Sequence, residues 1–479
     1  MTSRFRAIIG AVSLAFIVLA LSIGEVDAQA PATVRPLSYT KATLPNGLVA
    51  LFNEDHSSPV VGVVVWYHIG AKDEARGQTG MAHLCEHMLF EGSPNVPAGQ
   101  YLGIMRAAGA TSARAAETSE DRTLFYQTLP SNQLETWLWL ESDRMAAPFA
   151  AMDSTRLDVV RGSIRNERLA NRENIPFGLA DGYVIGALYG GEHPYRDPLG
   201  PMDDIERATF SQMRAFCEPY YVPNNAVIAI SGDFETAKVR AMVERYFGSI
   251  KRGPNPTHPA VRATAMTEPR RLVIEDARAR APMLRFAWSG AGFAHTDRPA
   301  LNALASVLQG DRTSGLTKTL VFDRRLATAV NVNHFDLEQG GVLQIDITPA
   351  PNTPLGAIED VVDSLVQAVR DATPSEGQLR RFKNANAVRA VSTLQARAVR
   401  ADTLAQGFKW GGGDPVVYAK QVNAANALTP ADVHRVATKY LTPGRVVMSM
   451  VPRGKLDLVS KPERKYENVQ SIVPKVTSQ

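Results

Sequence analysis

Residues 210–234, FSQMRAFCEPYYVPNNAVIAISGDF, and residues 428–452, LTPADVHRVATKYLTPGRVVMSMVP, share one pattern: a helical stretch, a Tyr-x-x-Pro turn and an apolar run of strand length. Its return near the C-terminus reads as an internal duplication, and a duplicated chain must fold as two units of one plan. The start of the second unit agrees, since PMLRFAWSG (282–290) predicts a strand and the stretch from about Arg298 to Leu308 a helix. With 479 residues the chain also exceeds the roughly 250–300 at which one hydrophobic core stops growing. Between the copies, FGSIKRGPNPTHPAVRATAMTEPRR (247–271) is rich in Pro, Gly and basic residues, as expected of a connection between domains. The expected organisation is a first domain over 31–250, a linker over 251–271, a homologous second domain over 272–460 and a tail over 461–479.

Composition excludes several classes. With 45% hydrophobic and 21% charged residues the chain is neither wholly disordered nor a polytopic membrane protein. Its net charge of +4, from 52 basic and 48 acidic residues without a long basic run, argues against nucleic acid as a partner. The N-terminus is more telling. MTSRFR supplies two arginines, Ile8 to Gly24 an apolar run, and VDAQA small-x-small cleavage patterns ending at Ala28 and Ala30. Residues 1–30 therefore read as a signal peptide, which places the rest in the periplasm or outside the cell; contact with a membrane is expected only if that segment stays uncleaved. Two cysteines, Cys85 and Cys217, provide no disulfide framework, and Cys85 reads as a packing residue or a reactive thiol, not a ligand.

In the first half, LPNGLVALFNED (44–55) and SPVVGVVVWYHIG (58–70) predict two strands, TSEDRTLFYQTLP (118–130) a third, and LETWLWLESDRMAAP (134–148) a helix ended by Pro148. After the connector GQTG, MAHLCEHMLFEG (81–92) carries an apolar stripe through Met81, Leu84, Met88 and Leu89 at helical spacing. On a helix that advances about 100° per residue, His83, Glu86 and His87 fall within one arc of roughly 100°. Two imidazoles one turn apart can bind one zinc ion, with the carboxylate beside them placed to act on water there. The order His-x-x-Glu-His inverts the commoner zinc-peptidase pattern. The bare pattern leaves two readings open, a metal site or a chance sharing of one helix face. The second half has no such motif.

A catalytic zinc needs a third protein ligand. In the helix predicted from about Ser154 to Asn171, Leu157, Val160 and Ile164 form the apolar stripe, and Glu167 follows Ile164 at i+3. A carboxylate on that face needs a partner. The alternative is a surface glutamate paired with Arg165 or Arg168; Glu173, near Pro176, is a weaker candidate.

These blocks together resemble the pitrilysin-like inverzincin zinc peptidases. GQTGMAHLCEHMLFEGSPNVPAGQY is similar to the family's metal-helix region, and TSEDRTLFYQTLP, LWLESDRMA, NERLANRENIPFG and YYVPNNAVIAISGDF to further family blocks. The resemblance implies an α/β (α+β) fold of two homologous sheet-plus-helices sandwiches forming half of a clamshell, Zn2+ held by His83, His87 and Glu167, and Glu86 as general base. It implies a zinc metalloendopeptidase acting on peptides or small unfolded proteins.

The chain also departs from that pattern. Where relatives carry a Gly-Gly-Thr-x-Asn-Ala-like edge strand that pairs substrate backbone, this sequence reads AAGATSARAAE (107–117). The Ser-Arg-Leu-Tyr block is SGLT at 314–317 and the later Leu-Ala-Tyr is LAT at 326–328, so the substrate-clamping Arg and Tyr are replaced; Arg312 and Arg324 are substitutes by position only. The resemblance therefore implies a dimer, with a heterodimer in which a homologous chain supplies the clamp as the expected form. The second functional reading is a binding or scaffold subunit for such a partner.

Overall fold

The computed structural model describes residues 33–111, 115–190 and 195–469. The predicted signal segment, residues 112–114 of the altered stretch and residues 470–479 of the tail lie outside the described residues. From Val34 onward the chain forms one compact unit.

Its strands are β1 (Thr40–Thr43), β2 (Val49–Glu54), β3 (Val60–Tyr67), β4 (Ala116–Thr118), β5 (Thr123–Pro130), β6 (Ala226–Gly232), β7 (Arg270–Asp276), β8 (Met283–Gly290), β9 (Ala327–Asp336), β10 (Gly341–Pro349), β11 (Val446–Pro452) and β12 (Glu467–Asn468). They form two six-stranded mixed sheets, ordered β1-β2-β6-β3-β5-β4 and β12-β7-β11-β8-β10-β9. The first-half helices are α1 (Met81–Met88), α2 (Gln100–Ala107), α3 (Leu134–Ala146), α4 (Ser154–Arg168), α5 (Ala180–Leu188), α6 (Met202–Arg207), α7 (Phe210–Cys217) and α8 (Thr236–Phe247). Those of the second half are α9 (Arg298–Gln309), α10 (Leu355–Asp371), α11 (Glu376–Thr393), α12 (Arg397–Trp410), α13 (Val417–Ala427) and α14 (Pro430–Tyr440).

The duplication is visible strand by strand. β6 pairs parallel with β2 and antiparallel with β3, and β11 pairs parallel with β7 and antiparallel with β8. Each of these central strands follows a helix whose start carries a capping box, Thr209 with Gln212 in α7 and Thr429 with Asp432 in α14. The strands predicted over 44–55 and 58–70 are β2 and β3, but they do not pair with each other. β6, from the end of the half, lies between them.

β3, VVGVVVWY, is apolar on both faces because both are covered. Val61, Val63, Val65 and Tyr67 face a core built with α1, α3, α4, α7 and α8. Val64 and Trp66 face Ala401, Leu404, Ala405 and Trp410 of α12, a helix from the other half. The second sheet is treated reciprocally. Its inner face packs on α9, α10 and α14, while Leu272, Ile274, Ala287, Val446 and Met448 pack against Val184, Ile185 and Leu188 of α5, from the first half. Each half therefore lends one helix to the other's sheet.

The linker is packed, not a loose spacer. Residues 251–269 contain no helix or strand, yet Thr264 N donates to Leu188 O at 2.7 Å, and His258 Nδ1 lies 2.9 Å from Asp73 Oδ1. Nearby, the fully buried Lys72 bridges Asp121 (3.0 Å) in the first half and Glu338 (2.7 Å) in the second.

Candidate metal centre

Helix α1 begins after Gly80, whose φ of 90° is the left-handed conformation glycine adopts without strain, and a Cβ there would lie 2.7 Å from Ile205 Cδ1. The opening turn is capped from outside the helix. Buried Glu74 accepts from Gly80 N and Ala82 N, each at 2.9 Å. Burial, opposed by those two bonds, pushes the Glu74 carboxyl up to about 8. All eight residues of α1 are buried, and its stripe of Met81, Leu84 and Met88 lies in the first core, so the helix is fixed along its length.

α4 is capped by Asp153, whose side chain accepts from Arg156 N, and buries Leu157, Val160 and Ile164. Glu167, one turn past Ile164, reaches α1. His83 Nε2 and His87 Nε2 are 3.1 Å apart, Glu167 Oε2 is 3.2 Å from His87 Nε2 and 3.6 Å from His83 Nε2. A tetrahedral zinc ion with bonds of about 2.0–2.1 Å sets its donors roughly 3.3 Å apart, so these separations and this nitrogen and oxygen set fit zinc. Among the described residues this is the one cluster of three or more such ligand side chains. The imidazoles are buried, whereas the Glu167 side chain is 35% exposed, which leaves the cluster approachable from one side. Two residues after Glu167 the backbone widens into a π turn, Leu169–Glu173, a local geometry frequent at functional sites.

The arginines that competed for Glu167 in the sequence are engaged elsewhere. Arg165 pairs with Glu206, and Arg168 Nε binds Glu173 Oε1 at 2.8 Å, which also occupies the weaker ligand candidate. Glu86, buried on the same face of α1, accepts from Thr118 Oγ1 at 2.7 Å. Thr118 ends β4, and Thr123, its register partner on β5, is fully buried. Within the β4–β5 turn, burial pushes the Glu120 carboxyl up to about 7. In the second half, the Arg312 guanidinium lies over the Phe322 ring at 4.8 Å, and Arg324 N donates to Thr319 O.

One reading is corrected. Cys85 is not a free thiol; it forms a disulfide with Cys217, Cα–Cα 6.0 Å, and no cysteine is free. α7 packs on α1 in the first core and brings the two sulfurs together, a long-range contact that spacing does not encode. Sequence reasoning also missed Glu74 and Thr118. Glu74 had only its proximity to the motif as a signal, and Thr118 only its place at the start of the block TSEDRTLFYQTLP.

The profile of the insulinase family (peptidase family M16) matches residues 49–181, and that of the peptidase M16 inactive domain matches residues 207–386. The chain is 27% identical over 413 residues to the zinc protease PqqE of Helicobacter pylori, covering 84% of this chain and 90% of that one. It is 27% identical over 340 residues to an uncharacterized zinc protease of Mycobacterium tuberculosis, covering 70% and 76%. Among solved structures, a protease from Helicobacter pylori shares the fold with a TM-score of 0.80 at 23% identity, over 87% of this chain and all of that one. The periplasmic protease PqqL of Escherichia coli gives 0.71 at 17% identity, over 88% of this chain and 48% of that one.

Proposed function

Because the chain belongs to the M16 (insulinase) family of peptidases, we propose that it is a zinc metalloendopeptidase that cleaves peptides or small unfolded proteins outside the cytoplasm. The observation that carries this reading is the convergence of His83 Nε2, His87 Nε2 and Glu167 Oε2 beside a buried glutamate. In the proposed mechanism these three residues would hold the metal. A bound zinc ion supplies Lewis-acid chemistry, polarising a carbonyl and acidifying water. Glu86, carried on the same helix face, takes the proton from the attacking water and returns it to the leaving amine, a role that contributes about 10²–10⁴-fold in such enzymes. β4 is the edge of its sheet, so a peptide can add to it as a further strand with its scissile bond beside Glu86. The Cys85–Cys217 disulfide suits an oxidising compartment, which supports export to the periplasm or beyond. No helix among the described residues is long and apolar enough to cross a membrane.

Cleavage of a mixed peptide library by the purified mature chain, with and without a zinc chelator, tests the reading. Chelator-sensitive cleavage is expected, and Glu86→Gln should retain zinc while losing turnover. Wild-type turnover in that variant would sink the role of Glu86.

The second reading is a peptide-binding or scaffold subunit, favoured by Gly315 and Thr317 standing where relatives carry the clamping Arg and Tyr. One zinc per chain with no cleavage would support it. We further propose that the chain is half of a clamshell that a second copy or a homologous chain completes, a reading supported by its match to just under half of PqqL. Sedimentation of the purified chain checks that assembly.

A further inference from the structure

We propose that Thr118 is the positioning residue for the general base, keying Glu86 to the strand along which a substrate backbone lies. The inference rests on the peptidase reading above and adds a residue to it. Thr118 Oγ1 donates to Glu86 Oε2 at 2.7 Å, and it also lies 3.2 Å from Thr123 Oγ1. Thr123 Oγ1 has its own acceptor, the Ile69 carbonyl at 3.0 Å. The Thr118 proton therefore faces two acceptors, a carboxylate and a neutral hydroxyl oxygen. The charge-assisted bond to the carboxylate is the stronger, which fixes the direction of donation.

The hydroxyl is rigidly held. Thr118 and Thr123 are directly opposed in the β4–β5 ladder, a β-branched side chain has few rotamers, and Thr123 is fully buried. The last torsion of a two-carbon carboxylate stem is soft, and the Thr118 bond restrains it. Anchoring one oxygen to β4 leaves the other aimed in a fixed direction relative to that strand. Substrate and base then share one frame of reference, because the same three-residue strand presents the sheet edge and the hydroxyl. This arrangement predicts an effect on the chemical step and not on binding.

The test compares kcat and KM for Thr118→Val, Thr118→Ser and Thr118→Ala, with zinc content and thermal midpoint measured for each. Thr118→Val should lower kcat roughly 10–100-fold, the scale of a misplaced catalytic group, with KM within about threefold and one zinc retained per chain. Thr118→Ser, which keeps the hydroxyl, should stay within about threefold of wild type. In the Glu86→Gln background, Thr118→Val should cost nothing further, as for residues acting as one unit. If Thr118→Val loses zinc or fold, the Ser and Ala variants carry the test, and equal kcat for those two overturns the proposal. So do wild-type kcat in Thr118→Val and an additive loss in the double variant. Wild-type chain without chelator-sensitive cleavage overturns instead the peptidase reading on which the proposal stands.

Discussion

Cys85, flanked on α1 by His83 and Glu86, is covalently joined to Cys217 at the end of α7, 132 residues further along. The bridge ties the helix that carries His83, Glu86 and His87 to the element that leads into the central strand β6. A cross-link closing a loop of this size is worth about 2–5 kcal/mol. The Cys85→Ser/Cys217→Ser double variant should therefore unfold at clearly lower guanidinium concentration, and it should release zinc to a chromogenic chelator faster than wild type. Matching unfolding midpoints would show that packing alone holds α1.

Removing ligands separates Glu167 from its neighbours. If His83, His87 and Glu167 hold zinc, saturating metal raises stability by about 4 kcal/mol at a thousandfold excess over the dissociation constant. His87→Ala and Glu167→Gln should lose that increment and most of the bound metal. Glu173→Gln should keep both, because its carboxylate is engaged with Arg168. Zinc analysis of the three purified variants decides it. Stoichiometric zinc in Glu167→Gln would remove Glu167 from the ligand set.

Much of this site was legible in the sequence because its signals are local. His83, Glu86 and His87 share a face by helical spacing alone, and Glu167 extends the stripe of Leu157, Val160 and Ile164, all three of which are buried. Choosing between Glu167 and its charged neighbours needed Glu206 to occupy Arg165, a contact 41 residues away. The disulfide, the Glu74 cap and the Thr118 contact depend likewise on how separate elements pack. The duplication was legible as a repeat, but the exchange of α5 and α12 between the sheets was not. Periodicity shows that a strand is apolar on both faces without showing which helix covers each.

The cap on α1 has a pH signature. The Glu74 carboxyl is pushed up to about 8 by burial, against an ordinary value of 4.5. The folded state therefore binds this proton more tightly than the unfolded state. The stabilisation is fully present below about pH 4.5 and is lost as pH rises through about 8, with a slope of at most about 1.4 kcal/mol per pH unit. Glu120, pushed up to about 7, acts in the same sense. The denaturation midpoint of Glu74→Gln should accordingly fall less between pH 5 and 8.5 than that of wild type. An unchanged slope would mean that Glu74 is ionised in the fold, with its two backbone N–H bonds outweighing burial.

The exchange of helices makes the two halves depend on each other, and Gly62 is where that dependence is most sharply testable. It lies on the face of β3 that α12 covers, and a Cβ at this position would sit 2.1 Å from Ala398 N and 2.2 Å from Arg397 C. Both are backbone atoms at the start of α12, so no side-chain rotation relieves the clash. The helix must move off the sheet, lifting Ala401, Leu404 and Ala405 from Val64 and Trp66. Overpacking of this kind costs about 1–3 kcal/mol, and more where the neighbour cannot yield. Arg397 also binds Asp55 at 2.6 Å in the first half, so the displacement strains an ion pair as well. Gly62→Ala should lower the unfolding midpoint, whereas Gly103→Ala, at a helical glycine with open space around its Cβ position, should not. By the same reasoning, a fragment ending at residue 250 lacks α12 and exposes Val64 and Trp66, so it should be insoluble alone and recovered on co-expression with residues 251–479. A soluble, cooperatively unfolding fragment would show that the first half folds without the borrowed helix.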